Sequence, residues 1–330
     1  MDGINVDQIV TELGEYITQH DEIRTWCYNM DELDAYTDTL TQVKGEYPTY
    51  QSVADHVVQE FTDEWTELGE TKFQVKILKA FRQKVNYPIK PHKVLGSWLA
   101  FLHRENVSLE QMPISRWIMD RELKPKVIDD INILEGQGQY VAGTRLFGDS
   151  MDGIITVLTN ILASGNPFRM PLPALTSTNI VDNITLYERM LPARVLSKIN
   201  RIFMSRQNLD RYKIRYRDQF GQQNDYAKAE IATTWLGNRE LVGLRCLDGS
   251  DLIFSTVGNN FLKLVDIFNE PAVTDIQKLD YKIKVFMEFV LGFDFWVDEL
   301  VFISDFGGTT VGLPNNHALF YPATPTTIPS

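Results

Sequence analysis

The chain has 330 residues, 44% hydrophobic and 23% charged, with two cysteines and a formal charge of −12. This ordinary globular usage excludes a disordered, collagen-like or disulfide-stapled protein, and the length gives a prior of about two domains. The acidity belongs to one end: residues 1–70 carry 17 acids against Arg24 and Lys44, giving −15, whereas residues 71–330 carry 27 acids and 30 bases, giving +3.

Ile4, Val6, Ile9, Val10, Leu13 and Ile17 recur at helical spacing, so 4–17 is predicted as an amphipathic helix. The acidic, Tyr- and Thr-rich stretch 21–48 has no steady period and reads as an irregular arm. Val53, Val57, Val58, Phe61, Trp65 and Leu68 form one apolar stripe opposite Asp55, Glu60, Asp63 and Glu67, which predicts a helix over 51–68 ended near Gly69.

The chemistry then inverts. Residues 71–93 hold Lys72, Lys76, Lys79, Arg82, Lys84, Lys90 and Lys93 and no acid. Within them, 72–77 alternates polar and apolar, the period of a strand with one wet face. The segment is predicted as an extended basic ribbon closed by Pro88 and Pro91. An arm at −15 and a ribbon at +7 are complementary surfaces suited to joining neighbouring copies.

Helices are predicted at 94–104 and from Pro113 to Leu134, the second bent at Pro125 and ended by Gly136 and Gly138. Further helices are predicted at 151–162 and near 180–200 and 207–219, the last basic on one side. Residues 240–257 read as two strands around an Asp-Gly-Ser turn. The nearly continuous apolar stretch 274–304 fits helix, strand or one after the other, with 299–304 a final strand. The proline-bearing tail 309–330 lacks an amphipathic period and is expected to be disordered by itself.

No run is apolar and long enough to span a bilayer, and the acidic N-terminus lacks the pattern of a signal peptide, so a soluble, non-secreted protein is expected. Cys27 and Cys246 stand far apart without Cys or His clusters; they read as two inert thiols, with one long-range bridge the alternative. The five histidines make no metal-ligand spacing, so neither a metal nor a cofactor is expected. Gly136-x-Gly138 follows a helix where a dinucleotide fingerprint follows a strand. Phe147-Gly148-Asp149-Ser150-Met151 resembles the block that opens a serine esterase domain, with Ser150 as nucleophile. That chemistry needs an oriented histidine; His317 is the only one after Ser150, and Pro314 stands where the partner Asp belongs. The block reads instead as an Asp or Ser helix cap.

The order of elements resembles the Hong Kong 97-type major capsid protein of tailed bacteriophages, a fold also seen in encapsulin shells. Three short phrases add to the likeness. Residues 200–205, Asn200-Arg201-Ile202-Phe203-Met204-Ser205, resemble the short strand before a helix. Leu241-Val242-Gly243-Leu244 resembles a following strand, and Thr256-Val257-Gly258-Asn259-Asn260 a glycine turn before the next element.

The resemblance implies an α+β fold with an N-terminal arm (1–70), an extended basic E-loop (71–93), a spine helix region of the peripheral domain (94–150), axial and remaining peripheral domain (151–304) and a C-terminal tail (305–330). It implies a non-enzymatic shell protein that assembles into hexamers and pentamers around double-stranded DNA, bound without sequence specificity. Portal and auxiliary head proteins would be partners, a membrane would not, and the chain would reside in the virion after assembly in the host cytoplasm. Contacts between copies are expected at Phe61, Trp65, Lys72, Phe73, Val75, Lys76, Ile77, Lys79 and Arg82. Phe73, Val75 and Ile77 would pack beneath a neighbour, and Lys72, Lys76 and Lys79 would meet its carboxylates. No scaffolding segment is expected before the arm, and nothing marks a Lys–Asn cross-link. The alternatives are an encapsulin-like compartment, the Ser150 esterase, and an accessory connector or decoration subunit.

Overall fold

The structure, a computed structural model, describes residues 6–19, 32–54, 58–66, 71–108, 112–164, 168–170, 172–220, 232–234, 236–237, 239–266, 273–279 and 282–304. The tail 305–330, with His317, and Cys27 lie outside the described residues.

Helix α1 (Val6–Gln19) opens the chain. Strands β1 (Asp38–Leu40), β2 (Glu46–Ala54), β3 (Thr71–Lys79) and β4 (Phe81–Ile89) follow, then helix α2 (Pro91–Glu105). A long helix is built from α3 (Ile114–Trp117), a π-helical segment Ile118–Leu123 and α4 (Lys124–Gln137). Proline at 125 cannot donate to the carbonyl four residues back, and its ring would collide with that carbonyl in a regular helix. The turn just before it is widened: Lys124 donates its N–H to Met119, five residues back. The expected bend at Pro125 is therefore a π-bulge inside one continuous spine.

Downstream lie α5 (Ile154–Ser164), β5 (Phe168–Arg169), α6 (Ile180–Met190), α7 (Ala193–Leu196), β6 (Arg201–Ser205), α8 (Arg206–Phe220), β7 (Ala232–Thr233) and β8 (Glu240–Leu244). The chain continues through β9 (Ile253–Thr256), β10 (Phe261–Val265), β11 (Val273–Leu279), β12 (Lys282–Phe295) and β13 (Val301–Ser304).

Two larger sheets organise the body. The five-stranded one runs β1-β10-β12-β11, with β4 along the other edge of β12. The stretch left open between helix and strand is thus mostly the 14-residue β12. Ile283, Val285, Met287, Phe289, Leu291, Phe293 and Phe295 are buried, while Lys282, Lys284 and Glu288 take the opposite parity.

The six-stranded sheet runs β5-β13-β9-β6-β8-β7. Both of its faces are covered. Phe203, Val242, Phe254, Val301 and Ile303 join the core with the spine, whereas Ile202, Met204, Leu241, Ile253 and Phe302 join α6 and α8 in a second core. This explains the unbroken apolar runs in its strands. The strands read at 240–257 are β8 and β9, but they do not form a hairpin, because β6 lies between them. At the turn 256–260, Asn259 takes φ +65°. Asn260 donates to Thr256 Oγ1 and the Val297 carbonyl and accepts from the Val297 N–H, pinning this turn to the end of β12.

The spine meets the 3-10 turn Arg245–Leu247, just after β8, at a point only glycine allows. A Cβ on Gly136 would lie 1.7 Å from the carbonyl oxygen of Cys246. Gly136 lies within α4, whose end falls at Gly138, and its stronger requirement is this close approach. Cys246 itself is a buried free thiol, and burial, with Glu135 beside it, pushes its pKa up.

The N-terminal residues are integral to the body. Ile9, Leu13 and Leu33 are in the first core and Val43 in a third small cluster, while β1 pairs with β10. Lys263, fully buried on β10, pairs with Asp34 at 3.1 Å. Deleting 1–48 would therefore remove core residues along with any arm.

Candidate assembly surface

β2 and β3 form a separate two-stranded antiparallel sheet, with Glu46 opposite Lys79 and Ala54 opposite Thr71. Nine residues per strand at about 3.3 Å each make a ribbon on the order of 30 Å long. The helix expected over 51–68 is absent: its first residues are in β2, and the described residues 58–66 at the ribbon tip are irregular. The members of the apolar stripe among the described side chains face no core of their own chain. Val58, Phe61 and Trp65 are 88%, 88% and 94% exposed. Glu60, Asp63 and Glu64 stand among them. The tip is tied across its base, where Gln59 donates to the Thr66 carbonyl at 2.7 Å and Thr66 donates back to Gln59 Oε1.

Residues 71–93 are thereby split. β3 is half of the ribbon, whereas β4 is a strand of the five-stranded sheet.

The ribbon's two faces differ. Directly opposed residues in an antiparallel pair share a face, so Tyr50 with Val75 and Pro48 with Ile77 form one side. Tyr50, Val75 and Ile77 are exposed, as is Pro48. On the other side Leu78 and Thr49 are buried near the root, and Lys76 reaches the body. Lys76 Nζ lies 2.6 Å from Asp294 and 2.5 Å from Asp298, and it donates to the Phe295 carbonyl. Lys76, expected to meet a neighbour's carboxylate, already meets two acids within its own chain, because the end of β12 brings them under the ribbon root. Burial raises the pKa of Asp294 despite Lys76, and burial also raises that of Glu299 in the next turn.

Of the other expected contact residues, Lys79 is exposed, and Arg82 on β4 ion-pairs with Glu288 across to β12. Lys72 and Phe73 lie in β3; their side chains are outside the described residues. The structure thus brings Val75 and Ile77 onto one free face, places Phe61 and Trp65 at the tip, and assigns Lys76 and Arg82 to pairs within the chain. Tyr50 and Pro48 were missed; the alternation of 46–54 was masked by the helical stripe that begins at Val53.

Two other features were candidates. Gln83 donates to the Ser150 carbonyl, and among the described residues the Ser150 hydroxyl meets no histidine. Helix α5 starts at Ile154, so neither Asp149 nor Ser150 caps it. A recess of about 330 Å³ lies beside Tyr36, Lys198, Arg201 and Glu240. Its Arg201 is held by Glu240 at 2.9 Å and stacks over the Tyr36 ring, so it fastens the N-terminal segment to the sheet. No helix among the described residues is long and apolar enough to cross a membrane.

No protein-family model matches the sequence, and no curated protein matches it significantly. Solved structures do match in shape. A chain from the capsid of an empty GTA particle aligns with TM-score 0.52 at 10% identity, over 84% of this chain and 97% of that one. The satellite phage P4 procapsid, solved with its size determination protein, gives 0.52 at 10% identity over 88% and 99%. The chain has the Hong Kong 97-type capsid fold. A Gordonia phage Cozz chain agrees, with TM-score 0.50 at 10% identity over 83% and 86%. The first two alignments cover nearly the whole of the matched chains. The α+β class read from the sequence is borne out. The strand Arg201–Ser205 leading directly into α8 is as the phrase at 200–205 implied.

Proposed function

We propose that this chain is the major capsid protein of a tailed bacteriophage, a structural subunit that assembles into hexamers and pentamers of an icosahedral head around double-stranded DNA. The observation that carries the reading is the two-stranded ribbon: its outward face and tip expose large apolar side chains that its own body leaves uncovered. Apolar surface of this kind on an extended element is stabilised when a partner covers it. The shared fold with capsid chains supports a second copy as that partner.

On this reading Phe61, Trp65, Val75 and Ile77 lie between subunits, while Lys76 sets the ribbon on its own body. The N-terminal segment, ribbon, spine and two sheets correspond to arm, E-loop, and peripheral and axial domains. Portal and auxiliary head proteins would meet the finished shell in the virion, following assembly in the host cytoplasm.

Size-exclusion chromatography of the purified full chain tests the reading. Elution as a megadalton particle is expected; elution only as a 37.9 kDa monomer would overturn it.

A further inference from the structure

We infer that the closed loop 139–149, between the spine and α5, is a self-complementary surface through which two copies of the chain meet. The inference rests on the capsid reading above, and the surface is separate from the ribbon.

The loop contains most of the block that resembles an esterase motif. Its two arms are tied side by side: Gln139 donates its N–H to the Gly148 carbonyl at 2.8 Å, and Val141 donates to that of Asp149 at 3.1 Å. At the tip the Thr144 N–H and hydroxyl both donate to the Val141 carbonyl. Gly143 and Gly148 stand at φ +84° and +98°, where a side chain would be strained. At the base Tyr140 donates its N–H to Asp152, and its ring packs on Phe81 at the start of β4. A short loop with joined ends and a shape set by its own bonds is a common carrier of function.

This fixed shape holds apolar side chains outward. Leu146 and Phe147 are 70% and 58% exposed, with Tyr140 and Val141 at 49% and 43%. Four large apolar side chains so close together form a patch that a partner stabilises by covering it.

The charges say which partner. Arg145 is exposed and Asp149 half-buried, on either side of Leu146 and Phe147 in the chain, and neither side chain has an ion-pair or hydrogen-bond partner among the described residues. In a two-fold contact, residue i of one copy meets residue j of the other, and j meets i. Opposite charges flanking an apolar pair satisfy that rule within one loop: Arg145 of each copy reaches Asp149 of the other around an apolar centre. A loop of one sign would repel its own copy.

Three chains carrying Leu146→Cys test this: that change alone, with Arg145→Asp, and with Asp149→Arg. Unchanged thermal melting confirms that each is folded. Under mild oxidation the first is expected to give a covalent dimer that the parent chain does not. Adding either charge change is expected to lower the dimer yield at least tenfold. Mixing the two charge variants is expected to restore it, because an acidic loop then meets a basic one. Absence of the dimer, or a mixture no better than its parts, overturns the inference and leaves the loop to a different partner, such as an auxiliary protein. Leu146→Cys alters only an exposed side chain, so its dimer decides the contact even where a charge variant misfolds. If the wild-type chain forms no large particle, the capsid reading falls, and the dimer yield among soluble chains still decides the contact.

Discussion

At Gly136, one methyl group separates a tolerated residue from a collision with the Cys246 backbone, and neither partner is a flexible side-chain end that can swing away. Gly136→Ala is expected to cost about 2–3 kcal/mol, the upper range for overpacking a filled core, measurable as a lower denaturation midpoint. Glycine near a helix end is so commonly a terminator that the sequence offered no way to see the second element pressed against it.

Lys76 is the other single residue with a large effect. Replacing it by methionine leaves Asp294 and Asp298 beside the buried Glu299 without a cation. Removing one partner of a buried ion pair costs about 3–5 kcal/mol, and the slight exposure here reduces that to about 2–3 kcal/mol. Asp294 and Glu299 already have pKa values raised by burial. A carboxyl with a raised folded pKa contributes its stability below the unfolded pKa of about 4 and loses it as pH rises through the folded value. Losing the lysine raises both further. The deficit of Lys76→Met is therefore expected to be small at pH 4 and full by pH 7, checked by urea unfolding at both.

Among the elements, the ribbon separates folding from assembly. Val75 and Ile77 lie on its outward face, so Val75→Ser/Ile77→Ser should move folding stability by no more than about 0.5 kcal/mol. Assembled particles should nonetheless fall sharply, as read by sedimentation. Equal loss of stability and assembly would mean that this face packs against its own body. The helices and final strand were legible because their apolar periods face a core within the chain. The ribbon was half legible. The alternation at 72–77 marked a strand, but not that Lys76 turns to its own body while Val75 faces out. The stripe from Val53 to Leu68 misled for a related reason: its period records an amphipathic surface without saying whose core covers it.

For the whole molecule, the −15 of residues 1–70 belongs to two structures. Part lies on an N-terminal segment packed into the body, where Asp7 and Asp34 already pair with Lys278 and Lys263. Glu60, Asp63 and Glu64 are carried outward on the ribbon tip. The two-domain prior resolves into two sheets that share one core through the spine, because the six-stranded sheet is covered on both faces. The most exposed large apolar side chains among the described residues, Tyr50, Val58, Phe61 and Trp65, lie on the ribbon and its tip, and that surface is the central claim. Negative-stain electron microscopy of the purified chain tests it most directly. Closed shells with fivefold and sixfold clusters are the expected result; rings or dispersed single subunits would contradict it.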